Sequence, residues 1–103
     1  MTVTKVVRYR TGGPQAADEN ERLIRDVFAE LATTKPQGLR YSAFRLDDGV
    51  SFLHVAVLDD GAANPLAASS AFGRFQAGIK DRCVEGPAPV DATAIGSYRL
   101  LPE

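Results

Sequence analysis

At 103 residues the chain has the length of one domain, and its 45% hydrophobic and 24% charged residues are ordinary globular usage, which excludes disordered and fibrous classes. Twelve basic and thirteen acidic side chains leave a net charge of -1, with the basic ones scattered from Lys5 to Arg99, so the clustered positive charge of a nucleic-acid footprint is absent. No apolar run approaches the ~20 residues of a membrane helix, and MTVTKVVRYR lacks the apolar stretch of a signal peptide, so a cytoplasmic protein with no membrane partner is expected.

Thr2 to Arg10 is β-branched and aromatic with alternating charge and reads as a first strand; Val3, Lys5, Val7 and Tyr9 share one face, and Thr4, Val6, Arg8 and Arg10 the other. Thr11-Gly12-Gly13-Pro14 stops it. From about Gln15 to Thr33 the period turns helical, with Leu23, Ile24, Val27, Phe28 and Leu31 as one apolar stripe. Pro36 and Gly38 end that helix.

Arg40 to Asp60 reads as two strands of equal length folded back at Asp48-Gly49. Asp-Gly between alternating apolar runs predicts a two-residue type I′ turn, with positive φ at both residues. The register then opposes Arg45 to Phe52, Phe44 to Leu53 and Ala43 to His54. Phe44, Leu46, Leu53, Val55 and Val57 share a purely apolar face that should be buried. Tyr41, Arg45, Phe52, His54, Ala56 and Leu58 share the other, which has the composition of a cavity wall.

Asn64-Pro65 is a helix start, an N-cap residue followed by Pro at the first helical position, and a second helix is expected from there to about Cys83 with Phe72, Phe75, Ile79 and Cys83 along its stripe. Gly73 and Gly78 weaken it. Glu85-Gly86-Pro87-Ala88-Pro89 reads as a stiff loop, and Thr93 to Leu101 as the last strand, with a bulge at Gly96. Cys83, the one cysteine, reads as a small buried hydrophobe at a helix end. With one His besides, no internal disulfide or His/Cys metal cluster can form, and no metal or cofactor is expected.

Strand, helix, strand, strand, helix, strand predicts a single α+β domain over residues 1–103: a ferredoxin-like βαββαβ sandwich with a four-stranded antiparallel sheet in order 4-1-3-2 and both helices on one face. The opposite face would be bare and apolar, so a second copy of the chain is expected to cover it, making a homodimer.

KVVRYRTGG, ENERLIRDVFAEL, GLRYSAFRLDDGVSFLHVAVLDD, NPLAASSAFGRFQAGIKDRC and IGSYR carry a resemblance across nearly the whole chain, most specific in the hairpin and in FxxFQxGIxDRC. On these the chain resembles the dimeric α/β-barrel superfamily, and within it the small proteins of the antibiotic-biosynthesis-monooxygenase-like branch. The resemblance implies that two subunits close their sheets into a dimeric α/β barrel and that each can form a cavity between sheet and helices. It spans cofactor-independent oxygenases, haem-degrading enzymes and isomerases, so it transfers no single reaction. There is no Trp, and the second helix lacks the His that haem-degrading relatives use as iron ligand, so haem breakdown is not implied.

His54 is the sharpest catalytic candidate, because an imidazole suits proton removal from a phenolic or enolic substrate and the register sets Tyr41 and Arg45 diagonal to it on the same face. Tyr41 and Arg45 would hold the resulting oxyanion, and Phe52 would line the same wall. Arg8 joins them only if its strand presents its even-numbered face. Each has a plainer reading: a structural histidine, a solvated arginine, and tyrosines (Tyr9, Tyr41, Tyr98) near strand ends with hydroxyls reaching water. Asp47, Asp48, Asp59 and Asp60 read as solvated turn residues. Two functions remain open: a cofactor-independent monooxygenase-like or isomerase-like dimer acting on a small aromatic or polyketide-type compound, with His54 as general base, and a non-catalytic dimeric binding or structural module.

Overall fold

The computed structural model describes residues 2–59 and 64–101. Its elements run β1 (Val3–Thr11), α1 (Pro14–Thr34), β2 (Leu39–Arg45), β3 (Ser51–Leu58), a 3-10 turn (Pro65–Ala68), α2 (Ser70–Ala77), α3 (Ile79–Arg82) and β4 (Cys83–Ala92). The strands form one antiparallel sheet in the order β2-β3-β1-β4, the expected ferredoxin-like arrangement counted from the other edge. Asp60 and Gly61, placed by the sequence in the turn after β3, lie outside the described residues.

The hairpin keeps its predicted register: Arg45 opposes Phe52, Phe44 opposes Leu53 and Ala43 opposes His54. The turn that sets it is different. Gly49 has φ +79, but Asp48 does not adopt positive φ, so the reversal is not type I′. Gly49 N–H donates to the Leu46 carbonyl, and the Asp48 carboxylate accepts from the Val50 and Ser51 N–H groups and from the Ser51 hydroxyl. Those bonds to its charged form hold the Asp48 pKa down at about 2. The short acid therefore makes the turn with its side chain, a role open to Asp at negative φ.

The helices cover the face that carries Val7, Tyr9, Tyr41, Phe52 and His54. Tyr9, Ala17, Ile24, Val27, Phe52, Leu66, Ala71, Phe75 and Ile79 form the core between sheet and helices. Each large member stabilises the fold by roughly 1.5–3 kcal/mol through loss of contact with water. The expectation that the Phe44, Leu53, Val55 and Val57 face is buried therefore fails within one chain, since those residues stay half-exposed on the open side of the sheet. The wall expected to border a cavity is the helix-facing one.

Two further expectations are corrected. The second helix is broken into three pieces: Asn64 caps only the 3-10 turn, Ser69 accepts the Phe72 N–H and starts α2, and Gly78 separates α2 from α3. The last strand is Cys83–Ala92, including the Gly-Pro-Ala-Pro segment read as a loop, whereas 93–101 forms no strand. Pro87 and Pro89 are tolerated because β4 is an edge strand, where a residue without an N–H need not break a ladder. Ile95 and Tyr98 have strand-forming side chains but almost no cover, at 101% and 82% exposed.

Candidate functional site

The centre of the helix-facing wall is His54, 5% exposed, with β1 and β2 flanking its strand. Both ring nitrogens are hydrogen-bonded to phenols. Nε2 lies 2.8 Å from the Tyr9 hydroxyl and Nδ1 lies 2.6 Å from the Tyr41 hydroxyl. Behind Tyr9 the chain of polar groups continues into the helices: Asn20 Nδ2 donates to the Tyr9 hydroxyl at 2.8 Å, and Arg82 Nε donates to Asn20 Oδ1 at 3.0 Å. Arg82 also donates to the Phe75 carbonyl, and its guanidinium lies over the Phe75 ring at 5.4 Å.

These groups are positioned by packed elements. Tyr9 stacks on Phe52 with ring centroids 5.5 Å apart, and Tyr41 stacks on Phe28 of α1 at 5.0 Å. Asn20 is fully buried and sits on the α1 stripe with Ala17, Ile24 and Val27. Its neighbours in space supply an acceptor and a donor for its carboxamide, as a buried polar group requires.

A cavity of about 260 Å³ opens beside His54 and Tyr41, bounded chiefly by Val7, Ala56, Leu66 and Phe72, with Lys5 and Gln76 also lining it. Its size is close to the ~300 Å³ at which small-molecule pockets begin. Larger hollows lie against Phe28, Leu31 and Tyr41 (about 350 Å³) and against the open sheet face (about 380 Å³). Neither contains the imidazole, and convergence of chemistry rather than volume marks the site. Among the described residues no three His, Cys, Asp or Glu side chains converge to hold a metal.

Of the residues singled out from the sequence, His54 and Tyr41 meet at this cavity. Arg45 does not join them: it donates to the Asp18 and Glu21 carboxylates and to the Gly49 carbonyl, and those acids make it still harder to deprotonate. Phe52 is 1% exposed and spent on the core beneath Tyr9. Arg8 opposes Leu53 and is exposed on the open face, so β1 presents its odd-numbered face to the site. Tyr9 is 3% exposed, which corrects the expectation that its hydroxyl reaches water.

Tyr9, Asn20 and Arg82 were not assigned to a site from the sequence. Asn20 carried a signal, since it falls in line with Ile24, Val27 and Leu31 at helical spacing, and a carboxamide on an apolar stripe needs a buried partner. Arg82 carried none, because its partner Asn20 is 62 residues away.

Burial drives the electrostatics. It penalises the charged imidazole and pushes the His54 pKa from 6.5 down to about 4, and it pushes both phenols above their usual value. Three neutral groups therefore share the wall at pH 7.

The four solved structures below share this fold. No protein-family model matches the chain, and no curated protein matches it. SnoaB, a cofactor-independent oxygenase from Streptomyces nogalater, is 25% identical, with 99% of this chain and 98% of that one covered at a TM-score of 0.67; its N63A variant superposes equally well. An antibiotic biosynthesis monooxygenase is 21% identical over 93% of this chain and 100% of its own, with a TM-score of 0.71. A dimeric ferredoxin-like protein of unknown function from Jannaschia sp. CCS1 is 16% identical over 91% of this chain and 100% of its own, with a TM-score of 0.68. The chain thus has the fold of the antibiotic-biosynthesis-monooxygenase-like proteins. Among the described residues no helix is long and apolar enough to cross a membrane.

The lowered imidazole pKa makes stability depend on pH. The unfolded chain takes up a proton near pH 6.5 that the folded chain refuses until about pH 4, so the contribution of neutral His54 is complete above 6.5 and is lost as pH falls through that window. At about 1.4 kcal/mol per unit, the loss reaches roughly 3 kcal/mol. Asp48, Glu21 and Glu30, also held below their usual values, lose their contributions at lower pH and do so in any His54 variant too. Between pH 6.5 and 4 the unfolding free energy of the wild type should therefore drop more steeply than that of His54→Gln. Parallel curves in chemical denaturation would mean that His54 charges freely inside the fold.

Proposed function

We propose that the chain is a cofactor-independent monooxygenase-like enzyme acting on a small aromatic or polyketide-type compound in the cavity beside Tyr41 and His54. The observation that carries this reading is a buried, uncharged imidazole joined to a phenol at the wall of a cavity lined mostly by apolar side chains, with Lys5, Asn64 and Gln76 also on its wall. Likeness to SnoaB over nearly the whole chain supports the reaction class.

An electron-rich ring would lie against Val7, Ala56, Leu66 and Phe72 with its oxygen at the Tyr41 hydroxyl. Dioxygen is the oxidant. At a ring CH2, one oxygen atom enters as a carbonyl and the other leaves as water with the two hydrogens that carbon gives up. Direct proton removal by His54, the role expected from the sequence, is not part of this reading. With both nitrogens already bonded to phenols, any proton exchanged between His54 and the substrate passes through Tyr41. Tyr41 is then the residue that touches substrate, and His54 works behind it.

The working unit is a homodimer closed across the open sheet face. Half-exposed Phe44, Leu53, Val55 and Val57 on that face support this, as does the dimeric state named for the Jannaschia protein. Sedimentation should give twice the 11.0 kDa chain mass for the wild type and the single mass for Val55→Glu, with helix content unchanged. A wild type that sediments at the single mass would remove the dimer from this account.

Anthrone, a tricyclic ketone whose enol is a phenol, serves as the catalytic probe. Oxygen uptake with anthraquinone as product is expected, reduced about 10²-fold in kcat by Tyr41→Phe, the size of effect seen when a donor to a developing oxyanion is removed. Binding of anthrone without oxygen uptake above the uncatalysed rate would assign the cavity to a non-catalytic binding module.

A further inference from the structure

We propose that the buried polar chain from Arg82 to Tyr41 has one fixed direction, which presents the Tyr41 hydroxyl hydrogen to the cavity and makes the site select a ligand through an acceptor oxygen: a carbonyl, or an ionised phenol or enol. The proposal rests on the reading of this cavity as the ligand site and deepens it by naming the recognised group.

The direction starts at Arg82. A guanidinium has donors and no acceptor, so its Nε at 3.0 Å from Asn20 assigns the facing atom as the carboxamide oxygen. The carboxamide nitrogen must then be the atom that faces Tyr9, and the Tyr9 hydroxyl accepts from it. Tyr9 has one hydrogen left to donate and is 3% exposed, with His54 Nε2 as its one remaining partner at 2.8 Å. If that hydrogen were turned elsewhere it would be buried without an acceptor, which native interiors avoid. Nε2 is therefore the acceptor.

A neutral imidazole carries a single N–H, so Nδ1 is the donor, and the Tyr41 hydroxyl at 2.6 Å accepts from it. The strong burial of His54 keeps the ring in that neutral form. Tyr41 now has its own hydrogen free, and among the described residues no second partner takes it. Both Tyr41 and His54 line the 260 Å³ cavity; of the acceptor side chains that also line it, Asn64 is bonded to the Leu66 N–H and neither it nor Gln76 is hydrogen-bonded to Tyr41. A ligand oxygen would complete the series.

In this arrangement Arg82 and Asn20 are positioning residues. They never touch the ligand, yet they decide which way every hydrogen along the chain points. The same polarity means that a proton moving along the series travels toward the ligand. Tyr41 is thereby set up to stabilise negative charge on a ligand oxygen.

His54 is the chain's single histidine, so a nitrogen-15 spectrum of the labelled protein contains one imidazole. At pH 7 the ring should show a protonated Nδ1 and an unprotonated Nε2, and Arg82→Met should convert this to a mixture, because the Asn20 carboxamide is then free to turn over. A wild-type ring protonated at Nε2 overturns the proposal, as does an Arg82→Met spectrum identical to the wild type. Recognition is read with 1-tetralone and its parent hydrocarbon tetralin. The ketone should bind roughly five-fold more tightly, the worth of one net hydrogen bond, and Tyr41→Phe should erase the difference. Equal affinities in the wild type would also overturn it. Neither measurement uses turnover: a protein that prefers the ketone but consumes no oxygen keeps this inference and loses the oxygenase reading, and oxygen uptake with the opposite ring protonation does the reverse.

Discussion

Placing an imidazole where water cannot reach it is costly unless both nitrogens find partners, and much of this molecule's architecture follows from meeting that demand. Tyr9 arrives from the central strand β1 and Tyr41 from the edge strand β2, on either side of His54 on β3. Each phenol is held by a stacked aromatic neighbour, Phe52 for Tyr9 and Phe28 for Tyr41. The sheet thus supplies the site and its rigid support with the same residues. One ring rotated out of place would strand buried polar atoms, and none of the buried side-chain nitrogens or oxygens among the described residues lacks a partner.

That requirement explains why helix packing and site chemistry are hard to separate here. Asn20 fills a core position on α1 and at the same time closes the polar series through Arg82 at the end of α3. Arg82 in turn is held by the Phe75 carbonyl and ring. A polar thread therefore runs from the end of α3 through the core to the cavity wall, where local dielectric is low and each bond counts for more than it would in water. Arg45 shows the contrasting case: two carboxylates at the surface satisfy its charge, and it has nothing left to offer a ligand.

The hairpin register was legible in the sequence because one-residue slips would invert every side chain between faces, and the alternation from Tyr41 to Leu58 permits a single solution. The topology followed from the element order. The turn type did not follow, since Asp48 can build a reversal with its carboxylate as readily as with positive φ. The last strand was misplaced because proline and glycine count against a strand in general but are tolerated at an edge, and edge position is a property of the assembled sheet. Only the hairpin part of the site was legible. His54 and Tyr41 lie on one hairpin, so local register brings them together, whereas Tyr9, Asn20 and Arg82 come from three other elements and meet only through tertiary packing. The arginine expected beside them was drawn off by acids on α1, a competition that no local pattern reveals.

The central claim is that Tyr9, His54 and Tyr41 act as one connected unit rather than as two separate contacts. A double-mutant cycle on unfolding free energy, with Tyr9→Phe, Tyr41→Phe and the pair, tests it most directly. Shared bonding through one imidazole predicts that the double variant differs from the sum of the single losses by about 1 kcal/mol. Losses that add to within about 0.3 kcal/mol would show two independent hydrogen bonds and contradict the account.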